Sequence, residues 1–90
     1  MSEIARTVLI TNKRGLHARA SAKFVTLASS QPCEVHVRKD DGAVTGTSIM
    51  GLMMLGAAMG DEITISATGD GADAAVGALV ELVEAKFGED

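Results

Sequence analysis

Ninety residues leave room for one domain built on one modest core. A hydrophobic content of 47% with 22% charged residues is the balance of a folded chain, and with Phe24 and Phe87 as the aromatics, stacking on bases is almost unavailable. The net charge of −4 divides unevenly: seven Lys/Arg and two acids from Met1 to Lys39 (+5), one Lys and ten acids from Asp40 to Asp90 (−9), which argues against nucleic acid and suits acidic partners or phosphate groups at the positive end.

Ile4 to Ile10 is rich in β-branched residues and reads as a first strand, although Arg6 interrupts its alternation. Thr11 to Gly15 is a polar turn. Ala18 to about Ser29 reads as a helix, with Ala20, Phe24, Leu27 and Ala28 on one face and Arg19, Lys23 and Thr26 on another. His17 therefore falls at or just before the first helical turn, where unpaired N–H groups and the positive end of the helix dipole face outward. A neutral imidazole there can attack a phosphoryl group, and Arg19 can add planar hydrogen bonds to the resulting dianion. A surface histidine or a makeshift cap would fit the same local pattern.

Ser30-Gln31-Pro32 stops the helix. Cys33 to Lys39 alternates cleanly and reads as a strand, Asp40-Asp41-Gly42 is a hairpin turn, and Ala43 to Thr45 is the short return. Cys33 and His36 point to opposite faces of such a strand and cannot share a metal ion. Ser48 is a natural N-cap for a short helix through Leu55. The three methionines Met50, Met53 and Met54 give that helix either a soft docking surface or, if a loop covers it, a second buried side. Asp61 to Thr68 is a last strand. Ala72 to Phe87 is an amphipathic helix with Val76, Leu79, Val80, Val83 and Phe87 as its apolar stripe, read as scaffold.

The order is βαββαβα, which predicts an α+β fold with one four-stranded, mostly antiparallel sheet covered on one face by three helices. Other chemistries fit poorly. Gly51 and Gly56 lack the Lys-Ser/Thr of a phosphate-binding loop, no serine stands in a nucleophile elbow, and no metal or cofactor is expected. The single Cys33 permits no internal disulfide, Met1 to Arg6 lack the apolar core of a signal peptide, and no run approaches the ~20 residues of a membrane span. A soluble cytoplasmic monomer without membrane insertion is the expectation.

Gly15-Leu16-His17-Ala18-Arg19, Ser48-Ile49-Met50-Gly51-Leu52-Met53 and Gly60 to Ala67 together resemble HPr, the histidine phosphocarrier family of the phosphoenolpyruvate-dependent phosphotransferase system. The resemblance covers essentially the whole chain as a single domain, residues 1–90, and implies an open-faced β-sandwich. It implies that His17 takes a phosphoryl group on Nδ1 from enzyme I (phosphoenolpyruvate-protein phosphotransferase) and gives it to enzyme IIA proteins of a sugar- or nitrogen-type pathway. The protein would then be a phosphoryl carrier rather than a free-standing catalyst. Arg19 would be the assisting arginine, with Ala18 and Arg19 as phosphate ligands. Ser48 matches a position that an HPr kinase/phosphorylase phosphorylates in the family, and Ile49, Met50 and Met53 match its docking surface. Ala20 and Lys23 extend the expected docking surface onto the first helix. One position departs from the pattern: Ala20 stands where the family usually has proline, which leaves an additional N–H donor in the first turn. Two other readings remain at this stage. One is a regulatory binding module of the same fold that acts by docking. The other is a βαββαβ nucleic-acid- or metal-binding domain, disfavoured by charge and composition.

Overall fold

The computed structural model describes residues 3–89. β1 spans Glu3–Leu9, α1 Ala18–Ser29, β2 Val35–Lys39, β3 Gly42–Thr45, α2 Ile49–Met54, β4 Glu62–Thr68 and α3 Ala72–Glu84, and a single tight turn follows at Lys86–Gly88. The sheet order is β1-β4-β2-β3, with every neighbouring pair antiparallel. The expected βαββαβα order and the four-stranded sheet under three helices are what the chain adopts.

Strand alternation explains the layering. Ile63, Ile65 and Ala67 of β4 and Val35 and Val37 of β2 are buried beneath the helices, and Val8 joins them from β1. The register places Arg6 opposite Ile65, on the same covered face. Its position on an edge strand resolves the interrupted pattern: the side chain runs outward past α3, and a Cβ built on Gly77 would stand 4.0 Å from its guanidinium. The other face carries polar residues, among them Thr7 and Thr64, whose hydroxyls lie 3.0 Å apart.

α1 buries Ala20, Ser21, Phe24 and Ala28. Ser21 takes an inward place because its hydroxyl donates to the Leu16 carbonyl (3.1 Å), whereas Leu27, expected in the core, is only half-buried. α2 buries Leu52 alone; Ile49, Met50, Met53 and Met54 are exposed, so the covered, two-sided packing is not adopted.

α3 departs most from expectation. It ends at Glu84 rather than running on through Phe87, and Lys86 and Phe87 both adopt φ of 57°. Left-handed backbone costs an L-residue roughly 1–2 kcal/mol. Burial of Phe87, which is 1% exposed, returns roughly 1.5–3 kcal/mol, most of the roughly 2–4 kcal/mol that the two left-handed residues cost together. The turn therefore folds the tail back against the body instead of extending the helix. No described helix is long and apolar enough to cross a membrane.

Candidate functional site: a histidine at the start of the first helix

Three loops converge at the head of α1. Ile10 N–H donates to the Asp61 carbonyl and Gly60 N–H to the Ile10 carbonyl, both at 2.8 Å, which joins the end of β1 to the loop before β4. The chain then turns, with Gly15 N–H donating to the Asn12 carbonyl (3.2 Å) and Leu16 N–H to the Ala57 carbonyl (3.0 Å). Gly15 has φ +63°, and a Cβ there would stand 2.3 Å from the Ala57 oxygen and 2.8 Å from the Ala58 Cα. Only glycine fits this crossing, and the crossing delivers His17 to its place.

His17 is the N-cap of α1, in extended backbone (φ −75°, ψ −178°), and its side chain makes no capping bond. The first intrahelical hydrogen bond is Ser21 N–H to the His17 carbonyl, 2.9 Å. The amides of Ala18, Arg19 and Ala20 thus have no partner within the helix, and no acidic residue occupies the first turn. The helix start retains its capacity for an anion.

The imidazole is engaged elsewhere. Its Nε2 lies 2.7 Å from the Glu89 carboxylate, and the side chains of His17 and Glu89 are 20% and 13% exposed. Asn12, itself buried, donates from its amide both to the Gly15 carbonyl (2.9 Å) and to the other Glu89 oxygen (3.2 Å). Lys23 donates to the Phe87 carbonyl at 2.7 Å and fixes the tail two residues before Glu89. Burial by itself would raise the Glu89 carboxyl. The hydrogen bonds from His17 and Asn12 and the charges of His17 and Lys23 outweigh it and hold the group below its usual 4.5. Because an ionised carboxylate only accepts, it selects the ring form whose Nε2 carries the proton and whose Nδ1 carries the lone pair.

The expected site residues are distributed as follows. His17, Ala18 and Arg19 stand together at the helix start, with Arg19 exposed. Arg19, Lys23, Thr26, Leu27, Ser30 and Leu82 line a shallow groove of about 540 Å³ that runs along α1 away from the histidine. Ala20 is fully buried against the core and cannot meet a partner, which corrects its expected docking role: its methyl faces inward, and only its amide belongs to the helix start. The Lys23 side chain is exposed, but its ammonium is committed to the tail. Ser48 caps α2, its hydroxyl accepting from Gly51 N–H at 2.9 Å. Ile49, Met50 and Met53 are 40%, 69% and 41% exposed.

Glu89, Asn12 and the Phe87 turn were missed from sequence. Asn12 reads as an ordinary turn residue and Glu89 as one more acid of the negative half. The apolar Phe87 followed by Gly88 is the one local sign that the chain turns back there.

Comparisons with known proteins show the family and the fold. Residues 4–85 match the family model described as PTS HPr component phosphorylation site. The chain is 46% identical over 86 residues to the phosphocarrier protein HPr of Pseudomonas aeruginosa, covering 94% of this chain and 96% of that one. It is 43% identical over 89 residues to the phosphocarrier protein NPr of Shewanella violacea, covering 99% and 98%. Among solved structures, HPr-C-His from Thermoanaerobacter tengcongensis superposes with a TM-score of 0.89 at 47% identity, covering 100% and 99% of the two chains. An HPr dimer from the same organism aligns with a TM-score of 0.76 at 47% identity, covering 99% of this chain and 100% of that one, so a monomer is not a state the family imposes. The chain belongs to the HPr family, the histidine-containing phosphocarriers of the phosphoenolpyruvate-dependent phosphotransferase system.

Proposed function

We propose that the chain works as a single cytoplasmic carrier domain in which His17 Nδ1 accepts a phosphoryl group from phosphorylated enzyme I and passes it to a histidine of an enzyme IIA protein. The observation that carries this reading is the placement of the His17 ring at the head of α1 with Nε2 bonded to Glu89. That leaves Nδ1 as the nucleophile. In the first step its lone pair forms the new P–N bond as the bond to the donor histidine breaks; the second step reverses these roles. The amides of Ala18 and Arg19 and the Arg19 guanidinium stabilise the phosphate oxygens. These are contacts at an open helix end, strong enough to assist transfer and weak enough to release the group. Both HPr and NPr proteins are similar to the chain, so the pathway served is of the sugar or the nitrogen type.

Partners dock on the exposed apolar face of α2, through Ile49, Met50 and Met53. Ser48 is the regulatory phosphorylation site for an HPr kinase/phosphorylase. A phosphate on its hydroxyl adds negative charge beside the docking face and can still accept the Gly51 N–H.

The test is incubation with phosphoenolpyruvate and enzyme I. The expected product is an acid-labile phosphate on His17, absent from His17→Ala. Equal labelling of that variant would show the assignment to be wrong.

A further inference from the structure

The sequence carries four methionines within ten residues, Met50, Met53, Met54 and Met59, and the fold buries none of them. They are 69%, 41%, 80% and 58% exposed. Methionine usually fills gaps in cores; here the core is filled by Leu52 from the same helix and Ala57 from the loop after it. Met50, Met53 and Met54 stand at i, i+3 and i+4 on α2 and so share one outward face. Met59 lies in the loop whose Ala57 carbonyl holds Leu16, the residue before His17. The four methionines are therefore exposed to solvent on the surface that adjoins the histidine loop.

We propose that this methionine face is a reversible oxidation site through which peroxide weakens partner docking without disturbing the fold. The inference rests on the docking role given to α2 above. In the reaction the thioether lone pair attacks one peroxide oxygen, the S–O bond forms as the O–O bond breaks, and water leaves. The sulfur is oxidised by two electrons and the peroxide is reduced. A methionine sulfoxide reductase restores the thioether at the expense of two thiols, which become a disulfide while the sulfoxide oxygen leaves as water. The product places a polar S=O group where an apolar surface met the partner. A sulfoxide covered without a hydrogen-bond donor weakens the complex about tenfold or more. The core loses nothing, because none of these side chains lies in it.

The experiment uses the full chain carrying Cys33→Ser, so that thiol oxidation cannot contribute, with and without Met50→Leu, Met53→Leu, Met54→Leu and Met59→Leu together. Each protein is treated with hydrogen peroxide, its sulfoxides are located by mass spectrometry, and circular dichroism and the rate of transfer from phosphorylated enzyme I are measured. The rate ratio is read within each protein, treated against untreated. The expected result is a drop of about tenfold at sub-saturating carrier in the methionine protein, expressed mainly in KM, and a ratio near one in the leucine protein. The fold signal stays unchanged, and methionine sulfoxide reductase with a thiol restores the rate. An unchanged rate with the sulfoxides present would overturn the proposal. So would loss of the fold signal, an equal drop in the leucine protein, or failure of the reductase to restore the rate. If the untreated protein accepts no phosphoryl group at all, it is the carrier reading that fails; if it accepts one and is indifferent to oxidation, only the present inference does.

Discussion

The Nε2 of His17 and the Oε2 of Glu89, 72 residues apart in sequence, lie 2.7 Å apart at the head of α1. A carboxylate bound to one ring nitrogen leaves the other as the basic, nucleophilic one, the same logic by which hydrolytic triads orient their histidine. The last described residue thus belongs to the site, and the tail fold that carries it has a functional consequence.

Glu89→Ala should remove that selection. Nitrogen-15 spectra of the His17 ring, which report the tautomer directly, should show the Nε2-protonated form losing population, with transfer from enzyme I slower by about tenfold, well short of the ~10⁴-fold lost when a hydrolytic triad loses its carboxylate, because the phosphate contacts of α1 remain. Glu89→Gln, whose side-chain carbonyl still accepts from Nε2–H, should keep most of both. A tautomer unchanged in Glu89→Ala would mean that the contact has no directing role.

The tail latch should be sensitive to acid. The Glu89 carboxyl lies lower in the folded chain than its usual 4.5, opposed by burial and favoured by His17, Asn12 and Lys23. A group depressed on folding stabilises fully above its unfolded value and loses that contribution as pH falls through the folded one. The protection of the Gly88 and Glu89 amides, measured against the intrinsic exchange rate at each pH, should therefore be steady near neutrality and fall below about pH 4.5. In Glu89→Gln this acid-dependent loss of protection should disappear.

Phe87→Ala would test what holds the tail. The side chain is 1% exposed and anchors a turn with two left-handed residues, so its truncation should cost about 3–5 kcal/mol in denaturant unfolding. It should also release Glu89 from His17. Stability lost with the His17 tautomer unaltered would separate the anchor from the site.

At Gly15→Ala a methyl would enter 2.3 Å from the Ala57 oxygen at a φ of +63°. The loop must shift, with an expected loss of at least about 2 kcal/mol and slower transfer, since His17 follows two residues on. Gly56→Ala, at φ +67° with open space around its Cβ, is the control: it should cost only about 1 kcal/mol and leave transfer intact.

Ser48 has two roles that substitution can separate. Ser48→Ala loses the cap to Gly51 N–H and should destabilise by about 1 kcal/mol with little effect on transfer. Ser48→Asp keeps a capping oxygen and adds charge, so it should slow transfer while preserving stability. Transfer at the unaltered rate in Ser48→Asp would remove charge as the means of regulation.

Local chemistry determined a great deal here. Alternation in Val35 to Arg38, the periodicity from Ala20 to Ala28, and the cap before Ile49 each act within a few residues, so the element order and the place of His17 before a helix could be read from the chain alone. What the tertiary structure decided depends on distant segments meeting. Ala20 sits one residue after Arg19 in sequence, yet its side chain turns into the core and has no part in docking. Arg6 keeps its place on a covered face because the edge of the sheet lets it reach past Gly77. The return of the chain after Glu84 depends on a cavity for Phe87 and on the Lys23 ammonium that reaches the Phe87 carbonyl, neither of which is encoded near Glu89. A helix start is specified by its neighbours in sequence; the carboxylate that orients its histidine is specified only by the packing of the whole.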